Sequence, residues 1–114
     1  MVIMPDKPIP NTPIIKRVTH EEMCKRFNGG RYGERAQAGE FTQVIMGSNI
    51  STLLTQETVE ITSQMVSYRD KDNNEIARVH QFVRPDGSLA ASGRPDPKRL
   101  LEDGILYRLE KKPK

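Results

Sequence analysis

The segment from Thr58 to Val83 leaves this chain few choices of fold. Val59 and Ile61 alternate with polar residues, and further on Val66 and Tyr68 take the even positions. Alternation of β-branched and aromatic residues with polar ones is a strand signal. Asp70-Lys71-Asp72-Asn73-Asn74 then interrupts it with residues that tolerate left-handed backbone and hydrogen-bond to their own main chain. From Glu75 to about Val83 a return strand follows. Two strands about a polar turn form an antiparallel hairpin, which must bury one face and needs further strands or a helix to be stable. The change of phase between Ile61 and Val66 predicts a bulge near Gln64 and Met65.

What can complete the sheet is read from the flanks. Pro5, Pro8, Pro10 and Pro13 make residues 1–16 an extended arm, because proline fixes φ and disfavours helix in the residue before it. Thr19-His20-Glu21-Glu22 is a capping box, Val18 and Met23 stand at the staple positions, and Asn28-Gly29 closes the helix. Residues 29–40 form a glycine-rich loop with room for one helical turn over Glu34 to Ala38. FTQVIM, 41–46, reads as a strand that Gly47-Ser48-Asn49 breaks, and 50–57 is ambiguous between strand and helical turn. Pro85-Asp86-Gly87 is a turn. Asp96 as N-cap, Pro97 at the first helical position and Gly104 as stop predict a second short helix. ILYRLE, 105–110, gives a last strand with Ile105, Tyr107 and Leu109 on one face. The expected fold is α+β: about four antiparallel strands, an N-terminal capped helix, and a short helix before the last strand. Residues 17–110 form one domain, with the arm before it and a basic tail, 111–114, after it.

Composition bounds the function. At 35% hydrophobic residues, with no Trp, three Tyr and three Phe, the core of a 114-residue chain is thinly supplied. A homo-oligomer is one way to supplement it. The formal charge of +3 favours an anionic partner, RNA or an acidic protein, without the excess of a dedicated nucleic-acid binder. One cysteine excludes an intrachain disulfide framework, and the prolines break any N-terminal apolar run, so a cytoplasmic protein with no membrane partner is expected.

The most informative candidate site lies on the return strand. Period two puts Ala77, Val79 and Val83 on a face suited to a core and Arg78, His80, Phe82 and Arg84 on the other. Guanidiniums beside an imidazole and a ring suit phosphate contact with stacking on a base or sugar. The wet side of a half-buried antiparallel sheet gives the same pattern without any ligand. Arg94, in the second of two Arg-Pro-Asp tripeptides, and Arg31 and Arg35, in the glycine-rich loop, are candidates to join this surface. The expected function is therefore a small binding module.

Two other functions compete with it. In one, a metal-independent, toxin-like ribonuclease uses His80 with a second group such as Glu60 or Glu75. In the other, an assembly subunit docks through the arm.

Metal and cofactor signals fall short. Asp70-Lys71-Asp72-Asn73-Asn74 begins like a calcium loop but has Glu75 where glycine is needed and Gln81 in place of the bidentate glutamate. The 29–35 loop lacks the Gly-Lys-Ser/Thr of a phosphate-binding loop. His20 and Cys24 are four apart on the first helix, and His20 could serve a nucleophilic Cys24 as base. Zinc wants three or four ligands, and the sequence offers only these two together. A half-buried thiol explains Cys24, and no metal or cofactor is expected.

Overall fold

In the computed structural model, residues 14–51, 60–91 and 93–111 are described. They form β1 (Ile14–Val18), α1 (His20–Gly29), α2 (Tyr32–Gln37), β2 (Thr42–Ser51), β3 (Ile61–Arg69), β4 (Glu75–Val83), β5 (Asp96–Glu102) and β6 (Ile105–Leu109). The class is α+β. The strands make one mixed sheet in the order β1-β6-β5-β4-β3-β2, with β1 parallel to β6 and every other pair antiparallel.

Both helices lie on one face. Thr19 Oγ1 accepts from the amide of Glu22 at 3.1 Å. The reciprocal half of the expected box is absent, because the Glu22 carboxylate pairs with Arg26 one turn on. Met23 and Phe27 then point into the core beside Val18. Gly30 caps the helix, and a Cβ there would collide with the Tyr32 ring.

The thin supply of apolar residues is concentrated rather than spread. Phe27, Tyr32, Phe41 and Tyr68 close a circuit of ring contacts with centroids 5.9 to 6.3 Å apart. Such pairs add about 0.5–1.5 kcal/mol each beyond area burial. Val66, Ala77, Val79, Leu100 and Tyr107 complete this core from one face of the strands.

Several sequence expectations need correction. The segment after Asp96 is strand β5, not a helix. Asp103 and Gly104 both have positive φ, 53° and 78°. That is the two-residue hairpin turn whose twist matches its strands, and Asp-Gly between two apolar runs encodes it better than a helix stop. Pro97 is accommodated because it sits near the strand start beside a register shift, where Arg78 pairs with Arg99 but Val79 with Pro97.

The sheet therefore has six strands among the described residues and is mixed, since β1 adds alongside β6 in parallel. Of the arm, 1–13 lie outside the described residues, whereas Ile14–Lys16 belong to β1.

The bulge falls on β2 rather than β3. Ile45 pairs with Val66 and Gly47 with Met65, so Met46 is the extra residue. The strand runs on through Gly47-Ser48-Asn49 instead of breaking. The ambiguous segment enters β2 at Ile50 and Ser51, and 52–59 lie outside the described residues.

Over the described residues the β3–β4 hairpin stands where the alternation put it, with β3 starting at Ile61 and one irregularity where Tyr68 pairs with Ala77 but Arg69 with Glu75. Asp70 Oδ1 accepts from the amides of Asp72 and Asn74, both at 2.9 Å. These contacts close the turn.

Candidate functional site

The helices pack on one face of the sheet, and among the described residues no helix covers the opposite face, although Ser67 on it is fully buried beneath the charged side chains. Strand pairing aligns one row across it: Arg17 of β1 stands opposite Arg108 of β6, Arg108 opposite Arg99 of β5, Arg99 opposite Arg78 of β4, and Arg78 opposite Ser67 of β3. Four arginines on four adjacent strands thus share one line. Arg69 adds a fifth guanidinium, its Nε donating to Ser67 Oγ at 3.0 Å. Like charges directly opposite across strands repel, at about 0.2–1 kcal/mol per pair.

One carboxylate moderates the row. Glu75 takes hydrogen bonds from Arg78 Nε at 2.9 Å and Ser67 Oγ at 2.6 Å, and lies 3.5 Å from Arg99. Burial pushes its pKa up, but these hydrogen bonds and charges outweigh burial and hold it below the ordinary value. Arg17 donates to the Leu109 carbonyl. Arg108 has no carboxylate within ion-pair distance among the described residues.

Two positions along β4 from Arg78, His80 Nε2 lies 2.7 Å from Ser63 Oγ. The imidazole meets the Phe82 ring edge-on, centroids 4.8 Å apart. Arg78, His80 and Phe82 are therefore one half-buried face beside the arginine row. Arg84 lies past the end of β4 and turns back to the Ser88 hydroxyl and Leu89 carbonyl at 3.2 and 2.8 Å.

The remaining predicted residues stand elsewhere. Arg31 is exposed ahead of α2, with φ 57°. Arg35 lies in the helical layer over the Tyr32 and Phe41 rings, 4.8 and 5.0 Å from their centroids. It also pairs with Glu40 at 2.6 Å and holds that carboxyl below its ordinary value. Arg94 lines a pocket between α1 and the start of β5. Of the two groups considered as partners for His80 in cleavage, Glu60 is exposed and Glu75 is engaged with the arginines.

That pocket, about 320 Å³, holds a second cluster. His20 Nε2 is 2.6 Å from Asp96 Oδ1, and Cys24 Sγ is 3.6 Å from the same nitrogen. Lys98 Nζ donates to Asp96 Oδ2 at 2.9 Å. Burial and then the Asp96 charge push the Cys24 thiol pKa up, against a smaller lowering by Lys98. For Asp96 itself burial is outweighed by the hydrogen bonds from His20 and Lys98, so its carboxyl is lowered. A nucleophilic relay sets thiol and carboxylate on different imidazole nitrogens. Here the thiol lies 4.0 Å from Nδ1 but nearer to Nε2, the nitrogen the carboxylate already holds.

Comparison with protein-family models, curated proteins and solved structures gives no significant match. No helix among the described residues is long and apolar enough to cross a membrane.

Sequence reasoning missed Arg17, Arg69, Arg99 and Arg108. The alternation of ILYRLE already puts Arg108 opposite the Tyr107 face. Arg99 was hidden by the expected helix, and Arg17 by the unrecognised strand β1. The row itself depends on register, which no single segment encodes.

Proposed function

We propose that this chain is a binding module whose open sheet face takes single-stranded RNA. The observation that carries the reading is the alignment of Arg17, Arg108, Arg99 and Arg78 in one cross-strand row moderated by Glu75. Such a row works against the sheet's own stability and is relieved by a polyanion laid across it. RNA is favoured over an acidic protein because His80 and Phe82 add an aromatic platform on the same face. Backbone-tracking cations with adjacent rings are the usual means of holding unpaired bases.

The test is fluorescence anisotropy with a labelled single-stranded RNA, titrated with salt and against polyglutamate. Binding should weaken with salt. The double variant Arg78→Ala/Arg99→Ala should flatten the log–log slope by roughly 0.7 for each phosphate it no longer neutralises. Equal affinity in the double variant, or tighter capture of polyglutamate, would remove RNA from this face. Cleavage of the probe without metal, abolished by His80→Ala, would replace binding with the ribonuclease reading. A mass above the monomer that reverts on deleting residues 1–13 would support docking through the arm.

A further inference from the structure

His20, Cys24 and Asp96 meet where the first turns of α1 reach the start of β5, away from the arginine row. We propose that they form a mononuclear site for a borderline-soft divalent cation, Zn2+ in the first instance, with His20 Nε2, Cys24 Sγ and Asp96 Oδ1 as its three protein ligands. The inference does not rest on RNA binding, although His80 and Phe82 line the same pocket and His80 pairs with Asp96 across the two strands.

Convergence is the first reason. The three ligand atoms lie within 4.8 Å of one another. His20 and Cys24, four apart on α1, share one helix face. The hairpin turn at Asp103-Gly104 sets β5 between β4 and β6, and α1 packs across β5 and β6. The sheet thus carries Asp96 to residues 76 and 72 positions earlier in the chain.

The second reason is which atoms converge. Both the thiol and the carboxylate come nearest to His20 at Nε2, with Nδ1 farther from the sulfur at 4.0 Å, the arrangement of donors around a shared ion. A tetrahedral zinc with bonds of 2.0–2.3 Å separates its ligand atoms by about 3.3–3.8 Å. The sulfur–nitrogen distance of 3.6 Å already falls there. The nitrogen–oxygen distance of 2.6 Å must open by about 0.7 Å to reach that range. The His20 and Asp96 side chains, 59% and 38% exposed, are able to make that movement.

The donor set narrows the metal. One nitrogen, one sulfur and one oxygen suit Zn2+, whereas Mg2+ and Ca2+ take oxygen ligands. A thiolate and a carboxylate balance the dication. The Lys98 ammonium on Asp96 Oδ2 turns Oδ1 toward the site, as outer hydrogen bonds commonly orient a ligating group. Three protein ligands leave a fourth position open, the pattern of sites that bind water or a small ligand. Asn28, His80, Phe82 and Arg94 line the pocket beside it.

The experiment titrates the full chain with Co2+ and Zn2+ under a weak chelator. One Co2+ per chain should bind, with a thiolate-to-metal charge-transfer band that Zn2+ displaces and Cys24→Ser abolishes. His20→Gln and Asp96→Asn should each weaken binding by at least tenfold, with thermal midpoints in excess chelator near that of the parent chain. In the unmodified chain, one equivalent of Zn2+ should also slow alkylation of Cys24 by iodoacetamide. No charge-transfer band, a band of unchanged affinity in both His20→Gln and Asp96→Asn, or alkylation indifferent to Zn2+ would each overturn the site.

Discussion

Adjacent rows of the same four strands carry opposite chemistry. On the covered face, Tyr68, Ala77, Leu100 and Tyr107 stand opposite one another, none more than 5% exposed. One residue along, the open face aligns Ser67, Arg78, Arg99 and Arg108. The first row is held by burial and ring contacts. The second sets like charges side by side and needs Glu75 to moderate them. Because strand side chains alternate, the residues that hold the fold and those proposed to meet a partner are neighbours in sequence yet on opposite sides of the sheet.

The most direct way to break this contrast is to compare Leu100 with Arg99. Leu100→Ala deletes a fully buried side chain and should cost about 2–5 kcal/mol. Arg99→Ala, half-buried and paired through Glu75, should cost about 0.5 kcal/mol or less. Urea unfolding of both variants checks this. Equal losses would mean that the open face is structural after all.

The turn joining β5 to β6 keeps both rows in register. Gly104→Ala places a Cβ at φ 78° and should cost about 1 kcal/mol, with no change in the charge of either face. Its thermal midpoint should fall while RNA affinity at a temperature well below unfolding stays constant. An affinity loss would show that binding reads strand alignment as well as charge.

How far the sequence carried depended on whether a signal was local. The β3–β4 hairpin was legible because alternation and a polar turn lie within one segment, and α1 because its cap and staple do. β5 is hidden because Asp-Pro opens a helix as readily as a strand, and Gly104 ends a helix as readily as it completes a hairpin turn. β1 was lost because a five-residue strand after prolines has no period of its own. Of the site, Arg78, His80 and Phe82 were visible as one face of one strand. Arg99, Arg108 and Arg17 join them only through pairing, and the His20–Cys24 pair lacked its third donor until β5 replaced the expected helix.

Arg108 sharpens the contrast in the other direction. It stands between Arg17 and Arg99 with no ion-pair partner of its own among the described residues. Arg108→Glu replaces two like-charge pairs with two opposite-charge ones, so it should stabilise the fold by about 0.2–1 kcal/mol. The same change should weaken RNA binding. A variant both more stable and weaker in binding would mark the row as a feature maintained for a partner, whereas lower stability would mean that repulsion along the row is already relieved.

The smallest effect is a dependence on pH. The folded protein holds Glu75 below its ordinary value of 4.5, so this carboxylate contributes stability that is present above that value. The contribution fades as pH falls through the lower, folded value. Glu75→Gln should remove it, making acid unfolding less steep in that window. RNA binding should move the opposite way. Protonating Glu75 releases Arg78 and Arg99 while the phosphates remain charged, so affinity should rise slightly as pH falls. Glu75→Gln should show the raised affinity already at pH 7, together with a small loss of stability. If the variant binds RNA no more tightly than the parent chain, Glu75 does not compete with phosphate for these guanidiniums, and the partner contacts the row elsewhere.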